Sequence, residues 1–142
     1  SDLGTIAPKD ITPIFMDRSR NKVTDKIQPV CVFEGFMDFL SFLSMKEEVT
    51  SACLVLNSVS NIHRAVAYLR EHRIAHVRAF LDNDEAGRQA MHVLQSAVMK
   101  VEDMSRHYGG YKDLNEYHVS RQKTMEQKQK KPQSVVKRGF RR

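Results

Sequence analysis

Asp82 and Asp84 are the residues of this sequence best placed for chemistry. They close an apolar run, His76-Val77-Arg78-Ala79-Phe80-Leu81, and lead straight into Glu85, Ala86 and Gly87. Side chains repeat every second residue in an extended segment, so the two carboxylates lie on one side of the chain. Two carboxylates aimed at one point repel unless a cation sits between them. Magnesium suits such a place, because it takes hard oxygen ligands: one or two protein carboxylates, with phosphate or water for the rest. The same spacing also occurs in turns and helix caps, so the pair alone does not separate a metal site from local structure.

The elements that position this pair can be read from the apolar pattern. Val30-Cys31-Val32-Phe33-Glu34-Gly35 and Ala52-Cys53-Leu54-Val55-Leu56 are continuous apolar runs, as strands buried on both faces require. His76 to Leu81 is a third such run, and Val101 to Tyr108 a more polar fourth. Between them lie stretches with helical spacing. Phe36 to Met45 has Phe36, Phe39, Leu40 and Leu43 inward. Asn61 to His72 has Ile62, Ala65, Val66 and Leu69 inward. Glu85 to about Lys100 has Ala86, Ala90, Val93, Leu94, Ala97 and Val98 inward. A short last helix is expected from Leu114 to about Arg121, after a turn at Gly109-Gly110. Strand and helix alternate, which predicts an α/β fold: about four parallel strands with helices on both faces. Residues 1–29 hold three of the four prolines and form an irregular lead-in, with Thr12 to Met16 a candidate edge strand.

A parallel sheet gathers its strand ends on one edge, where ligands bind in such folds. The first strand ends in Glu34-Gly35, the second in Asn57-Ser58 and the third in Asp82-Asn83-Asp84. Lys112-Asp113-Leu114-Asn115-Glu116 follows the fourth. A fold has no structural need to deliver so many acids to one edge, and each raises the cost of ionising the next. A cation or a cationic partner is the natural explanation.

Composition narrows the classes. A chain of 142 residues is one domain with tails, long enough to bury a core without staples. No apolar run approaches the roughly 18 residues of a membrane span, and the N-terminus lacks a secretory pattern. The chain begins Ser1-Asp2-Leu3, as a processed or excised fragment would. Cys31 and Cys53 fall in apolar runs and make no Cys-x-x-Cys pair, which points to buried reduced thiols and a cytoplasmic protein. The net charge of +6 divides unevenly. The segment from Arg121 carries nine Lys/Arg against Glu126 alone, so the body is near neutral and the tail basic. Residues 122–142 are poor in apolar side chains and are expected to be disordered beyond a brief helical extension. Lys128, Lys130, Lys131, Lys137, Arg138, Arg141 and Arg142 are its candidate nucleic-acid contacts, with a solvated linker the plainer alternative.

A strand ending Glu34-Gly35, a helix, then a strand ending Asp82-Asn83-Asp84 with Gly87 soon after resembles the Toprim domain. That module is shared by bacterial-type primases, type IA and type II topoisomerases, OLD-family nucleases and RecR-type recombination proteins. The resemblance spans Val30 to Val119, within a domain bounded at 30–121. Phe33-Glu34-Gly35-Phe36-Met37-Asp38, Leu81 to Gly87, and Lys112 to Glu116 are most similar to the primase branch, and to the primase-like proteins of plasmids and mobile elements.

The resemblance implies Mg²⁺, with Mn²⁺ as a substitute, held by Asp82 and Asp84 with Glu34 beside them. Glu34 would help bind metal or act as general base on an attacking 3′-hydroxyl. Gly35, Asp38, Asn57, Asp113 and Glu116 are candidates for the surrounding shell. Asp38 lies one helical turn beyond Glu34, and helix capping competes with function for Asp113 and Glu116. The implied activity is primer synthesis on single-stranded DNA from nucleoside triphosphates, with a helicase or other replication protein as partner and no membrane. Two rivals use the same fold: a metal-dependent OLD-like nuclease, and a non-catalytic module that binds nucleic acid or protein. The intact Glu34, Asp82 and Asp84 argue against the second.

The sequence also departs from the family. Replicative primases usually carry a glycine-containing turn where this chain has Leu56-Asn57-Ser58-Val59-Ser60. A primase's zinc-binding domain is not encoded here. Its basic nucleotide-binding subdomain is missing or reduced to the first 29 residues. The four tyrosines include no counterpart of a topoisomerase nucleophile. The six histidines have no zinc spacing, and only His107 lies near the acidic edge in sequence.

Overall fold

Val30, Val32, Ala52, Leu54, Val77 and Ala79 pack on one side of a sheet, and Cys31, Phe33, Cys53, Val55 and Phe80 on the other. Burial on both faces explains why residues 30–33 and 52–55 read as unbroken apolar runs, while the third strand keeps part-exposed His76 and Arg78 between its buried residues. The computed structural model describes residues 10–21, 26–46 and 50–139. Its strands are β1 (Thr12–Ile14), β2 (Arg20–Asn21), β3 (Lys26–Ile27), β4 (Val30–Phe33), β5 (Ala52–Val55), β6 (His76–Phe80) and β7 (Lys100–Asp103). Its helices are α1 (Phe36–Met45), α2 (Ile62–Glu71), α3 (Glu85–Ala97) and α4 (Leu114–Gly139).

The five-stranded sheet runs β1-β5-β4-β6-β7, and β2 pairs with β3 in a separate ladder. Strands β5, β4, β6 and β7 are parallel, as the alternating pattern predicts. Antiparallel β1 adds an edge, pairing Pro13 with Leu54, so part of the lead-in belongs to the sheet. Helices α2 and α3 cover one face, and α1 and α4 the other.

Four elements depart from the sequence expectation. Helix α1 buries Asp38, Phe39, Ser41 and Phe42, while Phe36 and Leu40 face outward. Asp38 accepts from the Asn115 N–H and Ser41 donates to the Asn115 side chain, and these bonds to α4 hold the rotation against the simple apolar stripe. In α3 the inward residue of the first turn is Gly87, and Ala86 is exposed. A Cβ at residue 87 would lie 2.9 Å from the Asp82 carbonyl carbon and closer still to its oxygen, so only glycine fits. The fourth strand stops at Asp103, and Ser105–Tyr108 turns into a short 3₁₀ helix.

The last helix does not stop near Arg121. It continues to Gly139, and its side chains from Arg121 to Lys128 are all exposed. Lys130, Lys131, Lys137 and Arg138 fall on this helical backbone. Arg141 and Arg142 lie outside the described residues, as do residues 1–9 of the lead-in. No helix among the described residues is long and apolar enough to cross a membrane.

Candidate active site

Strands β5, β4 and β6 end side by side at their carboxyl edge and open a cleft of about 430 Å³. Glu34, Asp38, Asp82 and Asp113 line it, and no described Lys, Arg or His does. Phe36, Met37 and Val59 supply its apolar wall.

Glu34 extends β4 by one residue, since its N–H donates to the Phe80 carbonyl at 3.4 Å. Its Oε1 accepts from the Asp82 N–H at 2.9 Å, which ties the ends of β4 and β6 together. Burial pushes the Asp82 carboxyl up to about 7, and the charges of Glu34, Asp113 and Asp84 add to the effect. Glu34 is raised too, first by burial and then by the Asp84 and Asp38 charges, against the Asp82 N–H bond that lowers it.

Asp38 sits behind this pair. Its Oδ2 accepts from the Gly35 N–H at 3.2 Å and its Oδ1 from the Asn115 N–H at 3.1 Å. It therefore caps α1 and staples the start of α4 to the Glu34-Gly35 turn. Burial first, then the Asp113 and Asp82 charges, pushes its carboxyl up to about 6. Asn115 is also held by the Ser41 hydroxyl at 2.9 Å.

Asp84 is a helix cap as well as a charge near the site. Its Oδ1 accepts from the Gly87 N–H at 2.8 Å at the start of α3, and it does not line the cleft. Asp113 likewise combines both roles. It caps α4 by accepting from the Glu116 N–H at 2.8 Å, and it lines the cleft. Glu116 reaches back to the Lys112 N–H at 3.2 Å, a capping contact. Asn57 borders the cleft, but its Nδ2 donates to the Asp10 carbonyl and to Thr12 Oγ1, both at 2.7 Å, so both amide hydrogens are engaged by the lead-in. Its φ of 67° explains the asparagine: the turn needs the left-handed region, and Asn tolerates it best after Gly. His107 is exposed and does not line the cleft. No described basic residue of α4 lines the cleft, although Asn115 at the start of the same helix does.

Sequence reasoning missed Asn83 and Tyr108. Asn83 Nδ2 reaches the carbonyls of Tyr111 (2.9 Å), Tyr108 (3.3 Å) and Ser105 (3.4 Å). The alternation that puts Asp82 and Asp84 on one side puts the residue between them on the other, and that signal was available. Tyr108 is buried, and its hydroxyl donates to the Leu81 carbonyl at 2.7 Å, one residue before Asp82. Burial and the acids around it push its phenol above the ordinary range. Tyr108→Phe leaves that carbonyl buried without its donor and should cost about 1–2 kcal/mol, measurable as a lower urea midpoint at unchanged slope.

Comparisons with known proteins agree with this architecture. No curated protein matches the chain. Among solved structures, the primase fragment of the bacteriophage T7 primase-helicase protein superposes with a TM-score of 0.50 at 24% identity. The match covers 70% of this chain and 42% of that one, so the chain spans less than half of that fragment. At this identity the likeness speaks for the fold. A family model described as Toprim-like matches residues 31–118, more than half of the chain, including the carboxyl ends of the strands that form the cleft. The chain belongs to the Toprim-like family.

Proposed function

We propose that this chain is the Toprim domain of a primase-like protein, transferring nucleotidyl groups to a 3′-hydroxyl on single-stranded DNA with Mg²⁺ or Mn²⁺. The observation that carries the proposal is the Glu34–Asp82 pair: two carboxyls from adjacent strands, tied by the Asp82 N–H bond to Glu34 Oε1, in a cleft lined by acids.

Among the described residues no three His, Cys, Asp or Glu are grouped to hold a metal ion. Magnesium does not need three, because it keeps waters and takes substrate phosphate oxygens alongside one or two carboxylates. The donors present are hard oxygens. They fit such an ion. Asp82 and Glu34 would hold it, with Asp84 adding charge from the cap of α3. A bound divalent cation neutralises phosphate oxygens as charge develops on them.

The chain's own residues supply the rest. Glu34 has its proton affinity raised by burial, which suits a group that must take a proton from a hydroxyl. Asp38 and Asn115 fix the Glu34-Gly35 turn. Arg121, Lys123 and Lys128, exposed on α4, would meet phosphates in a salt-dependent, sequence-independent way. Nucleoside triphosphates, single-stranded DNA and a helicase or other replication protein in the cytoplasm are the partners this proposal names.

The test is a titration of Mg²⁺ and Mn²⁺ into the chain and into Asp82→Asn/Asp84→Asn, followed by calorimetry and NMR. Asparagine caps helices as well as aspartate does, so the Asp84 change removes charge and keeps the cap. Binding that disappears in the double variant supports the proposal. Primer-synthesis and nuclease assays on the full-length protein then separate the two chemistries. No binding, even with nucleotide or DNA present, removes catalysis from this domain.

A further inference from the structure

The rotation of α1 that buries Asp38 leaves an aromatic ring and a thioether in water at the mouth of the cleft. Phe36 is 47% exposed and Met37 58% exposed, and both line the cleft that holds Glu34 and Asp82. The Phe36 ring does not hang free. It rests on Phe39 with ring centres 5.7 Å apart and planes at 47°, and Phe39 in turn meets Phe33 at 5.8 Å in the core. One side of the ring is thus anchored through two aromatic contacts.

We propose that Phe36 and Met37 form a platform on which a nucleobase stacks while the phosphate belonging to it is held at Glu34 and Asp82. This rests on the phosphoryl-transfer function proposed above. The occupant follows from what shares the cleft. A carboxylate wall accepts a cation and, through it, a phosphate, and an apolar ring edge lies beside it within about 430 Å³. A nucleotide joins a phosphate to a flat apolar group at that short range. An apolar face of a protein partner would satisfy Phe36 and Met37 but leave the adjoining carboxylates without a counterpart. Stacking on an aromatic is indifferent to base identity, which suits an enzyme that must accept every base.

The probes are a 2-aminopurine nucleoside triphosphate and a short single-stranded oligodeoxynucleotide carrying one 2-aminopurine, each with Mg²⁺, read by fluorescence quenching. The 142-residue chain should quench at least one probe in a Mg²⁺-dependent way. Phe36→Ala should weaken that binding about tenfold and remove the quenching. Phe36→Tyr should restore both, and Met37→Ala should weaken binding less. Half-exposed Phe36 can be replaced without opening the core, and an unchanged melting curve checks this. The probe that responds identifies the source of the base: a free nucleotide or a strand. If Phe36→Ala and Met37→Ala leave affinity and quenching intact while Asp82→Asn abolishes Mg²⁺-dependent binding, the platform is wrong and the phosphoryl-transfer site stands. If neither probe shows Mg²⁺-dependent binding to the parent chain, both fall together.

Discussion

Gly87→Ala will destabilise the domain by about 3 kcal/mol, at the upper end of what overpacking costs in a filled interior. The added methyl meets the backbone of Asp82, with its carbonyl carbon at 2.9 Å and its nitrogen at 3.1 Å. No side-chain rotation can relieve a clash with backbone. Either the first turn of α3 lifts away from β6, losing the Asp84 cap on the Gly87 N–H, or the Asp82 peptide moves. The second route breaks the bond from the Asp82 N–H to Glu34. Gln89→Ala, on the exposed side of the same helix, should change stability by less than about 0.5 kcal/mol and serves as the control. Urea midpoints measure the loss, and the carboxyl resonance of Asp82 should then titrate nearer to the ordinary aspartate value. A Gly87→Ala protein with parental stability would mean that the close packing of α3 on Asp82 is not as described.

Asp82→Asn should act in opposite directions on stability and on catalysis. In the cation-free domain Asp82 titrates at about 7 and Asp38 at about 6, and Glu34 is also raised. Unfolded carboxyls titrate near 4. Between about pH 4 and pH 7 the folded chain therefore keeps protons that the unfolded chain has shed. Stability is greatest at the acid end of that window and falls as pH rises through the folded values. Asparagine is neutral throughout, so the variant should melt at a higher temperature than the parent at pH 8 and show a flatter pH profile. A divalent cation held by these acids would compete with their protons, so Mg²⁺ should raise the parent's melting temperature most at pH 7–8 and leave the variant unmoved. In the full-length protein the variant should lose at least about 100-fold in nucleotidyl transfer. Thermal melts at several pH values with and without Mg²⁺ check the signs. A variant less stable than the parent at pH 8 would show that the acids are not in conflict.

The parts of this molecule that were legible in its sequence are those where burial alone decides. Strands β4 and β5 are buried on both faces, so their residues had no freedom to be polar, and the same holds for Val77, Ala79 and Phe80 of β6. The acids at their ends were visible because nothing in the core explains them. What was hidden depends on polar contacts between segments distant in sequence. Helix α1 carries an apolar stripe through Phe36 and Leu40, yet Asp38 and Ser41 turn it, because their partner Asn115 lies more than 70 residues away. No periodicity encodes that. Asp84 and Asp113 are caps and charged neighbours of the site at once, so a choice between the two roles posed a question the fold does not ask. The length of α4 was hidden for another reason. Its exposed turns from Arg121 to Lys128 bury no stripe, and apolar spacing is the signal by which a helix is usually recognised.

The two borders of the sheet have a consequence for assembly. On one side the last strand is β1, where Pro13 lacks the N–H that a further strand would need. On the other, β7 presents Lys100, Glu102 and Asp103 within a strand of four residues, with Glu102 bound to His76 and Arg78 of its neighbour. Proline on one border and a short charged strand on the other are devices that stop chains from adding edge to edge and aggregating. Both described borders of this sheet are therefore poor templates for a further strand, which leaves the helices and the mouth of the cleft as the better surfaces for lasting attachment to other macromolecules.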